Sequence, residues 1–109
     1  MPHIRFRALQ TEHIQSLSSS LPCVLAQAMN TDEDNFTFER VHTDFFSNGV
    51  SVESFPFVEI LWFERSQDVQ DLCAQIITEQ VKKLSGAQDV VVIFFALQKS
   101  GYYENAKHF

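Results

Sequence analysis

Glycine and cysteine are scarce in this sequence, and basic side chains are outnumbered. Three glycines in 109 residues leave no Gly-rich loop to cradle a phosphate, which argues against a nucleotide or flavin site. Cys23 and Cys73 stand far apart, and neither they nor the four histidines form a pair at metal-ligand spacing. Two buried free thiols, no metal and no cofactor are therefore expected. Serines and histidines occur without the sharp strand-to-helix elbow that exposes a nucleophile. Eight Lys and Arg against fourteen Asp and Glu give a net charge of −6, so nucleic acid and anionic membrane surfaces, which need a basic patch, are not expected partners. No run of about 18 apolar residues and no basic-then-apolar leader are present, which gives the expectation of a cytoplasmic protein with no membrane association.

What is abundant is apolar and aromatic. Hydrophobic residues make up 45% of the chain and eleven are Phe, enough for one folded domain over 1–109. A chain of this length removes only roughly two-thirds of its unfolded surface from water when it folds alone. A partner subunit would supply the rest.

Taken in order, Ile4, Phe6 and Ala8 alternate as in a strand that starts at Pro2. Ile14, Leu17, Leu21, Leu25 and Ala28 then mark a helix over Thr11–Met29, with Thr11 as its cap and Asn30 as its end. Pro22 lies inside it and predicts a kink near Ser18 to Leu21, or a restart at Ser20. Phe36 to Asp44 alternates as a second strand, with Phe36, Phe38, Arg40 and His42 on one face and Thr37, Glu39, Val41 and Thr43 on the other. Phe45 to Phe55 reads as a loop in which Val50 and Val52 add a short hairpin arm. Phe57 to Phe63 is apolar at nearly every position, as befits a strand covered on both sides. Ser66 caps a second helix that points Val69, Leu72, Cys73, Ile76 and Leu84 inward and stops at Gly86. Val90 to Leu97 is a fourth strand, again apolar on both faces.

The order is β-α-β-β-α-β, and the chain repeats weakly on itself. A shift of 54 positions lays Pro2 on Pro56, Ile4 on Val58 and Phe6 on Ile60. This implies two halves, about 1–54 and 55–109, related by a pseudo-twofold axis. Right-handed crossovers would then set both helices on one face of a four-stranded mixed sheet. Two helices cover one face only, so the apolar residues left on the other would need further copies of the chain to shield them.

A proline directly after Met1, a paired β-α-β repeat and this length resemble the tautomerase superfamily, which includes macrophage migration inhibitory factor. The resemblance implies an α+β fold and a homotrimer whose three sheets surround a channel. It also implies Pro2 as the catalytic residue: with Met1 removed, its secondary amine serves as general acid or base on a small acidic substrate, a keto or unsaturated carboxylic acid. Burial and nearby cations bring such an amine toward neutrality. Arg5, Arg7 and Arg40 are candidate cations, and Arg5 and Arg40 are candidate holders of the substrate carboxylate. A salt bridge between Arg5 and Glu59, its counterpart under the repeat, is the competing structural role. The resemblance further suggests Glu39 as an activator of water, His42 as a second proton carrier and Tyr103, or Tyr102, as a hydroxyl in the pocket. Two departures stand out. Thr31 and Asp32 replace a lysine found after the first helix of macrophage migration inhibitory factor, and Val92 and Phe94 replace a tyrosine and an asparagine. A non-catalytic trimer that binds a small acid or a protein is the alternative function, and a ferredoxin-like sheet is the alternative fold.

Overall fold

Ile4 and Phe6 alternate with His3, Arg5 and Arg7, so the first strand has one apolar face and one charged face. The computed structural model describes residues 2–109, and Met1, on which the removal of the initiator residue turns, lies outside the described residues. The chain runs β1 (His3–Arg7), α1 (Thr11–Met29), β2 (Thr37–Val41), β3 (Phe45–Ser47), β4 (Val50–Val52), β5 (Phe57–Phe63), α2 (Gln67–Ser85), β6 (Val91–Leu97), β7 (Tyr103–Glu104) and β8 (Lys107–His108). Four strands form one sheet in the order β2-β1-β5-β6. The outer pairs are parallel and the central β1–β5 pair is antiparallel. Both helices cover one face of this mixed sheet, as expected.

The pseudo-twofold relation shows in individual bonds. Thr37 N donates to Pro2 O at 3.1 Å, and 54 residues later Val91 N donates to Pro56 O at 3.0 Å. Arg5 lies directly opposite Glu59 in the register of the central pair, so the local axis passes between these two residues.

The core lies between helices and sheet. Ile4, Phe6, Val58, Ile60 and Trp62 from the sheet meet Leu17, Leu21, Leu25, Cys73, Ile77 and Val81 from the helices, all without solvent contact. Val92 and Phe94 pack against this cluster. They therefore turn toward the helices, not toward an open pocket wall.

Several local expectations need correction. α1 is continuous through Pro22, and Ser20 is no cap: its hydroxyl donates to Gln80 Oε1 at 2.8 Å and ties α1 to α2. The residue that begins α1 is Gln10, whose backbone N–H donates to His13 Nδ1 at 3.1 Å. Asn30 ends the helix at φ 54°, a left-handed position that asparagine tolerates better than most residues. On α2, Ser66 caps as expected and Gly86 terminates at φ 72°. The buried stripe, however, is Cys73, Ile77 and Val81, while Leu72 and Leu84 are exposed. The loop after β2 carries the expected hairpin arm, β4 paired with β3, and the tail forms a further hairpin, β7 with β8.

Only one of the two thiols is buried: Cys73 is enclosed and Cys23 is exposed on α1. Burial pushes the Cys73 thiol up to about 11, against a smaller opposing pull from Arg65. At pH 8 a thiolate-specific disulfide reagent should therefore titrate one group in the native protein and the second only after denaturation. Two fast groups in the native state would contradict the packing of α2.

Candidate functional site

The face of the sheet away from the helices divides into two halves. On β5 and β6, Leu61 with Phe95 and Phe63 with Leu97 stand in register, joined by Phe57, Val91 and Ile93. Alternation assigns these residues to the face opposite the buried Val58, Ile60 and Trp62. On β1 and β2 the same parity sets out His3, Arg5 and Arg7 beside Thr37, Glu39 and Val41. One half is oily and the other is charged.

The charged half is a connected network. His3 bonds through Nδ1 to Thr37 Oγ1 at 2.6 Å and through Nε2 to Glu39 Oε1 at 2.9 Å. Arg5 Nε donates to the same carboxylate oxygen at 3.1 Å. The hydrogen bond from His3 is the main reason that Glu39 titrates below the usual carboxylate range, with the charge on Arg5 adding to it. Glu39 is thus a firmly ionised acceptor. Next to it, Arg7 pairs with Glu59, the more enclosed of the two carboxylates. The anticipated Arg5–Glu59 bridge does not form. Although those residues face each other across β1 and β5, Arg5 pairs instead with Glu39, its register partner on β2, and Arg7 reaches diagonally to Glu59.

Pro2 sits at the head of β1 and is fully buried. Its carbonyl is held by the Thr37 amide, so the network begins one residue from it. At this end of the sheet, where β5 finishes, the tail folds back over Phe63. Tyr102 and Phe109 lie 5.3 and 5.5 Å from the Phe63 ring. Tyr102 is the tyrosine held in this aromatic cluster. Tyr103 is exposed and packs edge-on against His108 at 5.7 Å.

Arg40 and His42 lie elsewhere. Arg40 is opposite Phe6 in the register, about 13 Å along the strand from Pro2 at a rise of about 3.3 Å per residue. It shares the helix-side face, where its Nε donates to Leu9 O at 2.8 Å and its Nη1 meets His42 Nε2 at 3.0 Å. The pair lines a cleft of about 180 Å³ with Gln10 and Ser54. It adjoins a larger cavity of about 570 Å³ around Pro56, lined also by His13, Ser85 and Asp89. Of the candidate residues, the fold brings together Pro2, Arg5 and Glu39, and it sets Arg40, His42 and Tyr103 apart. The sequence reading missed His3 and Thr37 as site residues. Parity along β1 and β2, which had already separated Phe6 from Arg5 and Phe38 from Glu39, was the signal that would have found them.

Among the described residues, no three His, Cys, Asp or Glu side chains converge as metal ligands, and no helix is long and apolar enough to cross a membrane.

The model of the family described as a domain of unknown function, DUF1904, matches residues 1–108. The chain belongs to the DUF1904 family. A crystal structure of a DUF1904 domain from Sebaldella termitidis shares 36% identity with it at a TM-score of 0.93, each chain covered over 100%. This DUF1904 protein also has the tautomerase and MIF fold. A structure described as a fused 4-OT wild type asymmetric trimer superposes at TM-score 0.84 with 11% identity, covering 97% of this chain and 94% of that one. The macrophage migration inhibitory factor-like protein of Entamoeba histolytica superposes at 0.78 with 12% identity, covering 99% and 98%. No curated protein matches the sequence.

Proposed function

We propose that this DUF1904 protein is a small-molecule tautomerase, or a lyase of related chemistry, in which Pro2 moves a proton on a keto or unsaturated carboxylic acid. The observation that carries the reading is the position of Pro2: fully buried at the head of β1 in a tautomerase fold, one residue from a cluster that holds two arginines. With Met1 removed, its nitrogen is a secondary amine at the edge of an apolar core. Such surroundings disfavour the ammonium form and bring the amine toward neutrality, so that protonated and free forms are both available near neutral pH. Arg5, three residues along the chain from Pro2, offers a guanidinium for a substrate carboxylate.

The half-oily open face supports assembly as a homotrimer, with three such faces turned inward and the mouth beside Pro2 completed by a neighbour. Soluble monomers seldom leave so broad an apolar surface in water.

Two measurements on untagged protein test the proposal. Intact mass should show loss of Met1, and the enol form of phenylpyruvate should convert to the keto form at a rate that falls at least about 100-fold in Pro2→Ala, the low end for losing a general acid–base group. A retained methionine, which makes the nitrogen an amide, or an undiminished rate in the variant, would end this reading.

A further inference from the structure

We propose that Thr37, His3 and Glu39 form a proton relay that serves the reaction at Pro2, with the Thr37 hydroxyl as the group that meets the substrate oxygen. This rests on the assignment of Pro2 as the acid or base. Its own foundation is the order of the bonds. The Thr37 amide is fixed to the Pro2 carbonyl, its exposed hydroxyl contacts His3 Nδ1, and His3 Nε2 contacts the Glu39 carboxylate.

That order fixes the direction in which protons run. Glu39 is ionised and can only accept, so His3 must carry its hydrogen on Nε2 in the neutral ring, and Nδ1 is then an acceptor. Thr37 donates to Nδ1 and keeps its lone pairs for a donor outside the network. Arg5 donates to the same Glu39 oxygen, which holds the carboxylate in place for the ring.

In enol-to-keto conversion the protonated Pro2 nitrogen gives its proton to the substrate carbon. The carbon–carbon double-bond pair forms the new C–H bond, and the enol O–H pair becomes the second bond of the carbonyl. The enol proton passes to Thr37 Oγ1 as that hydroxyl hands its own proton to His3 Nδ1. The products are the keto acid, a neutral Pro2 amine and a protonated His3, and exchange of one proton from His3 to Pro2 through water restores the starting state. Glu39 touches no reacting atom. It is a positioning residue that sets the tautomer of His3 and steadies the imidazolium.

The test uses tag-free protein and the enol form of phenylpyruvate. Thr37→Val keeps shape and loses the hydroxyl, and it should lower kcat by roughly tenfold to hundredfold, with KM changed less than about twofold and thermal melting unaltered. Thr37→Ser should recover most of the rate. Nitrogen NMR of the wild type should show the Nε2–H form of His3, and Glu39→Gln should shift it toward the other tautomer. Full kcat in both Thr37→Val and His3→Gln, beside a large loss in Pro2→Ala, would overturn the relay and leave the Pro2 assignment standing. A Pro2→Ala variant as active as wild type, or no turnover by the wild type, would overturn both. Persistence of the His3 tautomer in Glu39→Gln would remove Glu39 from its role.

Discussion

Trp62→Ala is expected to destabilise the protein by about 3–5 kcal/mol, the range for deleting a large aromatic side chain from a core. Trp62 has no solvent contact and stands on β5, an interior strand of the sheet. Its ring lies 4.6 Å from that of Phe94, and the Arg65 guanidinium lies 5.2 Å from its centre. Alanine would open a void bounded by two central strands, where backbone hydrogen bonds on both sides limit relaxation. A domain of this size has roughly 5–15 kcal/mol of stability in all, so the variant should melt some 15–30 °C lower. Far-UV circular dichroism in urea at one fixed protein concentration measures this, since the sole tryptophan is removed and association would otherwise shift the midpoint. Trp62→Phe, which keeps an aromatic ring, should lose less than half as much. A cost under about 1 kcal/mol for alanine would mean that the core does not close around β5.

The parts of the fold legible in the sequence are those set by local period. α1 was placed at Thr11–Met29, and Asn30 at its end, because apolar spacing and a left-handed terminus are properties of neighbouring residues. Pro22 misled because its local cost, about 3 kcal/mol in a helix interior, is offset by what surrounds it. Leu21 and Leu25 are buried without solvent contact on either side of it, and Ser20 is bonded to α2. On α2 spacing alone points Val69, Leu72, Cys73, Ile76 and Leu84 inward and passes over Ile77 and Val81, yet a helix 19 residues long shows one stripe to the sheet. Cys73, Ile77 and Val81 at steps of four claim it and leave Leu72 and Leu84 in solvent. The tail hairpin was missed for another reason. Its anchor is the packing of Tyr102 and Phe109 on Phe63, contacts across about 40 residues that no local window contains. The candidate site was half legible. Alternation alone grouped Glu39 with Thr37, and Arg5 follows by the same rule, whereas the placing of Arg40 and His42 with them came from resemblance and not from parity. Parity had set those two on the opposite face, and the structure agrees with parity. The choice of ion-pair partners, Arg5 with its neighbour Glu39 on β2 and Arg7 diagonally with Glu59 on β5, depends on strand register and side-chain reach and could not have been read from residue spacing.

Phe95→Asp is expected to convert the proposed trimer to single folded chains. Phe95 stands on β6 in register with Leu61, at the centre of the oily half of the open face. It is 44% exposed in the isolated chain, so the substitution adds a carboxylate to a surface that water already reaches and should cost the single chain little. In an assembly with three such faces turned inward, each subunit would instead lose about 1.5–3 kcal/mol of aromatic burial and gain an unpaired charge whose desolvation costs several kcal/mol more. With the loss repeated in every subunit, association should weaken by at least roughly a thousandfold, a change of about 4 kcal/mol. Light scattering at micromolar concentration would read this as a fall to the mass of one chain, 12.5 kDa, with the circular dichroism spectrum retained. Leu72→Asp supplies the control. Leu72 on α2 is 46% exposed, almost the same as Phe95, but it stands on a helix that covers the other side of the sheet. It should leave the assembled mass unchanged, because one exposed leucine among polar neighbours needs no partner, whereas an apolar row across two adjacent strands does. If wild-type protein already ran at the mass of one chain, or if both variants behaved alike, the open face would not be what joins the subunits.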